Sequence, residues 1–284
     1  MSNGIRLFRG SFGRALLLEI DRGLVAHAHH HCHILLKAAG PDVSFIVQNR
    51  ICTVTDSTVL LLNAWEPHTY LHQEDPNSRA STILLALHIE PKWLEDGELS
   101  FAHGGHRRLF PEPIAPIPQL VRRLADDVIS DLWWSDVLDQ QRLAASLFNL
   151  IATIISPIAE KSRRVGRPAH SIGQPVDRRI RKALEFIQGK PPSDYGMAEL
   201  AKVCNLSRTH FFTLFREQMH VTPNMYTNCV KMERAFDRLA ESECSISDLA
   251  FDLGFSAQSH FTRFFTQHQG VTPTEFRRKI QDLG

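Results

Sequence analysis

Cysteine is scarce in this chain of 284 residues, with five, at Cys32, Cys52, Cys204, Cys229 and Cys244. No two of them form a CxxC pair, so neither a disulfide framework nor a zinc site is indicated, and they read as reduced structural thiols. Long apolar runs are also missing. No uninterrupted stretch reaches the roughly 18 residues that a membrane helix needs, so no membrane partner is expected. The first ten residues lack the basic, apolar and small-residue succession of a secretory signal, which points to the cytoplasm. Glycine-rich phosphate loops, GxSxG and HExxH are absent too, and with them the usual signatures of nucleotide, acyl-transfer and zinc-protease chemistry. No catalytic residue, metal or cofactor is assigned. A net charge of one sign is nearly lacking as well, at a formal +1.

What is present is ordinary for a globular chain: 43% hydrophobic and 22% charged residues, which excludes fibrous and disordered classes. The length suits two domains, each with its own core. Divided after Glu160, the chain is electrostatically lopsided. Residues 161–284 hold 19 Lys and Arg against 13 Asp and Glu, or +6, while the front part holds 13 against 18, or −5. A basic back half joined to an acidic front half is the electrostatic footprint of a nucleic-acid reader with a partner domain.

Up to about Glu90 the text is short apolar runs, Ala15–Ile20, Ile34–Lys37, Val43–Gln48, Val59–Leu62 and Ile83–Ile89, separated by turn material such as Gly40-Pro41-Asp42 and Asp75-Pro76-Asn77. This spacing predicts an antiparallel sandwich or small barrel over residues 1–110. After the proline-rich stretch Pro111–Pro118 the period becomes helical. Leu120, Leu124, Val128 and Leu132 mark one helix, and Leu143, Leu147, Leu150, Ile154 and Ile158 another, so residues 111–160 form a helical pair. Ile151 and Ile155 widen the second stripe, which must pack on the barrel, on its neighbour, or on a second subunit in a homodimer. Residues 161–176, with Gly166-Arg167-Pro168 and Gly173-Gln174-Pro175, read as a linker. Residues 177–284 are all helical, in segments beginning near Arg178, Met197, Ser207, Asn224, Ile246, Gln258 and Thr274.

That last region contains an internal repeat. Leu200-Ala201 returns as Leu249-Ala250 at an offset of 49. His210-Phe211 and Val221-Thr222-Pro223 return as His260-Phe261 and Val271-Thr272-Pro273 at an offset of 50, so one residue is inserted at the turn. Each copy has helix-turn-helix chemistry: a small residue, Ala201 or Ala250, for close crossing; Asn205 or Gly254 for a left-handed turn; and Ser207 or Ser256 as the expected N-cap. Phe211, Leu214 and Phe215, with Phe261, Phe264 and Phe265 in the second copy, form core faces. Arg208, Thr209, Phe212 and Thr213 in one copy, and Gln258, Ser259, Thr262 and Arg263 in the other, are left facing outward. Arg263 suits guanine and Gln258 adenine, while Thr and Ser suit bases or phosphates. The helix from Asn224 to Ala240 spans roughly 25 Å, a spacer that suits two adjacent major grooves.

The run from Ile246 through Asp248-Leu249-Ala250, Gly254-Phe255-Ser256 and His260-Phe261-Thr262-Arg263-Phe264-Phe265, followed by Gly270-Val271-Thr272-Pro273-Thr274-Glu275-Phe276-Arg277-Arg278, resembles the AraC/XylS family of bacterial regulators. The resemblance covers about the last hundred residues. It implies a seven-helix domain with two recognition helices that bind double-stranded DNA at promoters and activate transcription beside RNA polymerase. By the same resemblance the eight outward residues fall at DNA-contact positions, with Phe212 departing from the polar residue often found there.

In the front half the conspicuous text is His27-Ala28-His29-His30-His31-Cys32-His33. On a strand His27, His29, His31 and His33 would share one face. With His68 downstream, the pattern is similar to a cupin, a small barrel that often presents a His-x-His pair and a later His. The acidic residue expected after the pair is missing and Lys37 stands nearby. In AraC-like regulators the corresponding barrel implies a small-molecule effector held without a metal, here by His29, His31, Trp65 and His68. Two other readings stay open: a metal-dependent cupin enzyme fused to a DNA-binding domain, and surface histidines without a role. The expected organisation is therefore multidomain, an all-β cupin-like barrel with helices followed by an all-α domain with two helix-turn-helix units.

Overall fold

A computed structural model of the chain describes residues 6–21, 23–71, 81–96, 109–134, 139–164, 176–241 and 244–281. The Asp75-Pro76-Asn77 turn and residues 165–175 of the expected linker lie outside this set. The chain divides into two compact units. One comprises residues 1–23, 30–64 and 68–172; the other comprises residues 173–284 together with the short segments 24–29 and 65–67.

Among the described residues the first unit has nine strands: β1 (Arg6–Gly10), β2 (Gly13–Ile20), β3 (Cys32–Ala39), β4 (Val43–Val47), β5 (Arg50–Val54), β6 (Thr58–Leu62), β7 (His68–Leu71), β8 (Thr82–Ile89) and β9 (Ile114–Pro116). They pair antiparallel into a six-stranded sheet of order β1-β2-β8-β3-β6-β9 and a three-stranded sheet of order β5-β4-β7. The expected all-β region is thus present. Strands β1, β5, β7 and β9 add to the five that apolar runs mark, and β9 lies inside the proline-rich stretch.

A short helix, α1 (Pro91–Asp96), follows β8, and a helical pair follows β9: α2 (Gln119–Trp134) and α3 (Gln140–Arg164). The period-2 alternation of the strands decides what this pair covers. Ala15 and Leu17, Cys32, Ile34 and Leu36, Val59 and Leu61, and Leu85, Leu87 and Ile89 share one core with Val121, Ala125, Val128 and Leu132 of α2 and Leu143, Leu147, Leu150, Ile151, Ile154 and Ile155 of α3. The wide stripe of α3 is therefore packed within its own unit. Gln140–Ile158 also has the length and mean hydropathy, 1.2 over 19 residues, of a candidate membrane span, but that apolar row is part of the core just described. α3 runs four residues into the stretch expected to be linker, ending at Arg164.

Among the described residues the second unit holds seven α-helices after residue 176: α4 (Arg178–Gly189), α5 (Met197–Val203), α6 (Arg208–Met219), α7 (Pro223–Glu241), α8 (Ile246–Asp252), α9 (Gln258–Gln269) and α10 (Pro273–Gln281), with a 3-10 turn at Pro192–Asp194. The seven segments anticipated from helical spacing coincide with these to within a residue or two. α4 starts at Asp177, whose carboxylate accepts from the Arg179 backbone N–H at 2.8 Å and from the Arg179 guanidinium at 3.0 and 2.7 Å. This pair holds the Asp177 carboxyl down at about 2. α4 ends on Arg234 of α7, which donates to the carbonyls of Ile187, Gln188 and Lys190 at 3.1, 2.8 and 2.7 Å and so satisfies groups that a helix end leaves without intrahelical partners.

No disulfide joins the five cysteines, of which Cys32, Cys52, Cys204 and Cys229 are buried. Burial pushes the Cys204 thiol up, and it donates to the Arg179 carbonyl at 3.2 Å. An inert structural thiol is the result.

Candidate functional site

The two helix-turn-helix units, α5–α6 and α8–α9, are assembled by the same local devices. Ala201 and Ala250 are buried at 3% and 0% exposure, which lets each second helix cross close to the first. The turn residues Asn205 and Gly254 take left-handed backbones, with φ of 54° and 76°. At Gly254 the requirement is stricter, because an added Cβ would lie 2.7 Å from the carbonyl oxygen of Pro192.

The caps differ. Ser207 caps α6 as expected, its side chain accepting from the His210 backbone N–H at 3.3 Å. In the second unit the expectation fails. Ser256 sits one position too early, the cap position falls to Ala257 with no side-chain bond, and Ser256 Oγ instead pairs with His260 Nδ1 at 2.9 Å. The single inserted residue that changes the repeat offset from 49 to 50 accounts for the displacement.

Behind each second helix lies an aromatic core. Phe211, Phe215, Phe261 and Phe265 are all at 0% exposure. Phe215 meets Tyr226 edge-on at 5.6 Å, and Phe265 meets Phe236 and Phe276 at 5.8 and 5.4 Å. With those faces buried, Arg208, Thr209, Thr213, Gln258, Ser259 and Arg263 are exposed, and Phe212 and Thr262 are half-buried. Gln258, Ser259, Thr262 and Arg263 line one concave surface together with Thr266 and Gln267. The last two were not anticipated, although they stand one turn beyond Thr262 and Arg263 at helical spacing.

In the first unit Phe212 packs edge-on against Phe211 at 6.0 Å. It also carries the Arg208 guanidinium 5.7 Å above its ring. The departing aromatic is thus a platform that orients the arginine beside it. The Thr213 hydroxyl donates back to the Thr209 carbonyl at 3.1 Å.

The histidine run is not one strand. β3 begins at Cys32, and His30 and His31 lie in bends ahead of it. The four residues expected to hold an effector are also divided between units. His31 and His68 belong to the first, while His29 and Trp65 lie in the segments 24–29 and 65–67 that group with the second.

What the sheet register gathers in the first unit is a different histidine set. His33 stands opposite both His88 and Leu62, and His88 opposite Arg14, so Arg14, His88, His33 and Leu62 form one row across the sheet, on the face opposite the helical pair. The His33 and His88 rings are 4.0 Å apart; His31 lies 5.2 Å from His88, and His68 of β7 lies 5.7 Å from His33. All four histidines are buried. Arg14 Nε donates to His88 Nδ1 at 3.3 Å. A guanidinium can only donate, so His88 accepts there and carries its proton on Nε2 as a neutral ring. Lys37, which stands near the position where the acidic residue was expected, is buried and bound to Asp42 at 2.6 Å and Asp56 at 3.2 Å. Burial alone would lower its pKa, but the two carboxylates outweigh it and raise the value.

Residues 200–279 match the family model described as a helix-turn-helix domain. The regulatory protein PocR of Salmonella typhimurium is 32% identical over 108 residues, which are 38% of this chain and 36% of that protein. The transcriptional activator RhaR of Yersinia pestis is 22% identical over 261 residues, covering 90% of this chain and 85% of RhaR. The chain spans about a third of the length of several other curated regulators that it matches. Among solved structures, an apo ToxT variant from Vibrio cholerae superposes with a TM-score of 0.60 at 14% identity, over 97% of this chain and 100% of ToxT. The structure of wild-type ToxT bound to an unsaturated fatty acid gives 0.54 at 13% identity, over 98% and 97%.

Together these define the class: a two-domain fold with a β-sheet domain followed by a helical domain of helix-turn-helix type. The helical domain is similar to that of curated transcription regulators, PocR and RhaR among them.

Proposed function

We propose that the chain is a sequence-specific transcription regulator of the AraC/XylS kind, an activator controlled by a small molecule bound in its N-terminal unit. The observation that carries the reading is the doubled helix-turn-helix, in which buried phenylalanines turn Arg208, Thr209, Phe212 and Thr213, and Gln258, Ser259, Thr262 and Arg263, toward the same kind of outward surface. These eight residues are the proposed DNA contacts, joined by Thr266 and Gln267. α7 is the spacer between the units, 19 residues or about 27 Å at the usual rise. Such a span suits two recognition helices that enter adjacent major grooves roughly 34 Å apart.

The proposed domain plan is an effector unit over residues 1–110, a helical pair over 111–160, a linker over 161–176 and the reader over 177–284. The proposed effector surface is the buried cluster of His31, His33, His68 and His88. His29 and Trp65 are left out of it because they group with the other unit. The likeness to ToxT, a chain of the same fold whose structure holds an unsaturated fatty acid, supports a small-molecule ligand. RNA polymerase and a second copy of the chain complete the proposed partners, with a cytoplasmic setting and no catalytic role.

Selection of bound duplexes from a random DNA pool, using the full chain at two salt concentrations, tests this reading. An enriched motif in two blocks about one helical turn apart is the expected result. Binding that simply fades with salt and enriches nothing overturns it. Arg263→Ala is expected to cost about 1–3 kcal/mol at one base position; unchanged specificity removes Arg263 from the contact set.

A further inference from the structure

We infer that the first unit carries a divalent transition-metal site built from His30, His31 and Glu90. It goes beyond the DNA-binding reading and does not depend on it. It shares His31 with the His-x-His pattern that the sequence draws attention to, but its second histidine is the adjacent His30 and its third ligand is a carboxylate that follows β8.

Local structure brings the three together. Neighbouring side chains on an extended strand point to opposite faces. His30 and His31, however, lie in the bends ahead of β3, so their rings come to one side, with centroids 3.8 Å apart. Glu90 directly follows β8. The antiparallel pairing of Cys32 with Ile89 and of His33 with His88, carried one residue further, sets His31 opposite Glu90. A carboxylate 59 positions away in sequence is thereby delivered to the histidines by register.

The spacing fits an ion. His30 Nε2 lies 3.3 Å and His31 Nε2 3.6 Å from Glu90 Oε1, and the three donor atoms all fall within 4.8 Å of one another. Ligands about 2.1 Å from a zinc-sized ion and disposed tetrahedrally are about 3.4 Å apart. A charge-assisted N–H to carboxylate hydrogen bond draws its partners to about 2.7–2.9 Å, so both separations are long for that interaction and near the ligand-to-ligand edge of a coordinated ion. Two imidazoles and one carboxylate favour borderline divalent ions such as Zn²⁺, Co²⁺, Ni²⁺ or Fe²⁺ over the all-oxygen preference of Mg²⁺ or Ca²⁺.

The His31 side chain is 2% exposed, while those of His30 and Glu90 are 35% and 40% exposed. Protein therefore encloses one side of the site and solvent reaches the other. Three protein ligands leave coordination positions open there, so the ion can exchange and can accept an oxygen donor from a small molecule.

Full-length protein stripped with a chelator and titrated with Co²⁺ tests the inference, read by visible absorption and by calorimetry. One tightly bound Co²⁺ per chain is expected, with a rise in melting temperature. His30→Asn and Glu90→Gln, both at partly exposed positions, are each expected to weaken binding by about tenfold or more and to abolish the thermal shift. The chain has 15 histidines, so adventitious binding is the rival, and the variants separate the two. Wild-type affinity in either folded variant overturns the inference, as does the lack of saturable Co²⁺ binding by the wild type.

Discussion

The two helix-turn-helix units are copies of one design that have diverged in opposite ways on their inner and outer surfaces. Inside, the correspondence is close: Leu200-Ala201 and Leu249-Ala250 are all buried, and Phe211 with Phe215 matches Phe261 with Phe265, all four rings fully buried. Outside, one unit stacks Arg208 on Phe212, whereas the other presents the all-polar set Gln258, Ser259, Thr262 and Arg263 around a concavity. The inner surface is held by packing, which punishes any change of volume. The outer surface carries no such packing constraint and is free to change. The inner likeness makes the sharpest prediction. Phe215→Ala and Phe265→Ala should each cost about 3–5 kcal/mol, measured by denaturant unfolding, and by similar amounts. A large inequality between them would show that the two cores are not equivalent.

The turns come next, and here the copies should part. Gly254→Ala must hold a left-handed backbone and also push a Cβ against the Pro192 carbonyl, so about 2 kcal/mol or more is expected. Asn205→Ala carries the backbone penalty alone, about 1 kcal/mol. If both substitutions cost the same, the close approach at Pro192 has no energetic weight. The caps follow at smaller scale. Ser207→Ala should lose about 1 kcal/mol, while Ala257→Ser should gain about 0.5–1 kcal/mol, because α9 begins without a side-chain cap. Opposite signs from the two substitutions would confirm that the inserted residue displaced the cap; the same sign would refute it.

Ser256 also marks the limit of what was legible in the sequence. Helical spacing, buried phenylalanines and turn residues located all seven helices of the second unit, since each signal acts within a few positions. The repeat then marked which faces turn outward without knowledge of the fold. Ser256 was misjudged because a one-residue insertion shifts a cap without disturbing the hydrophobic pattern. In the first unit the signals are longer-ranged. β5 was missed because Arg50, Ile51 and Thr53 are exposed, which breaks the apolar run, and β9 because three residues within a proline-rich stretch show no period. The histidine run looked like one strand since alternation was the pattern at hand, yet His30 and His31 lie in bends. His88 and Glu90 join the histidines through strand pairing, and register between strands more than fifty residues apart leaves no trace in local text. His88 did sit at the right parity in an apolar strand, a buried polar residue that calls for a partner.

The smallest expected effect concerns α4, which precedes the first helix-turn-helix pair and starts on a charged cap where α8 starts on the neutral Ser245. The Asp177 carboxyl titrates at about 2, below its ordinary 3.8, because the Arg179 guanidinium and backbone N–H favour the carboxylate. A depressed value in the folded state means that the ionised group favours folding. Its contribution is complete above the unfolded value near 4 and is lost as the pH falls toward 2. Ser245 does not titrate, but its hydroxyl donates to the Asp248 carboxylate at 2.7 Å in the first turn of α8, so the larger change over this window is expected at α4, where the carboxylate is itself the cap. Carboxyl-carbon NMR of Asp177 checks the value directly, and amide exchange at the first turns of α4 and α8, compared between pH 5 and pH 2.5, checks the consequence. A larger loss of protection in α4 is expected, and the excess should vanish in Asp177→Ser, which gives both helices the same neutral cap. Equal fraying of both helices in the unaltered chain would mean that the Asp177 and Arg179 pair is too exposed to matter.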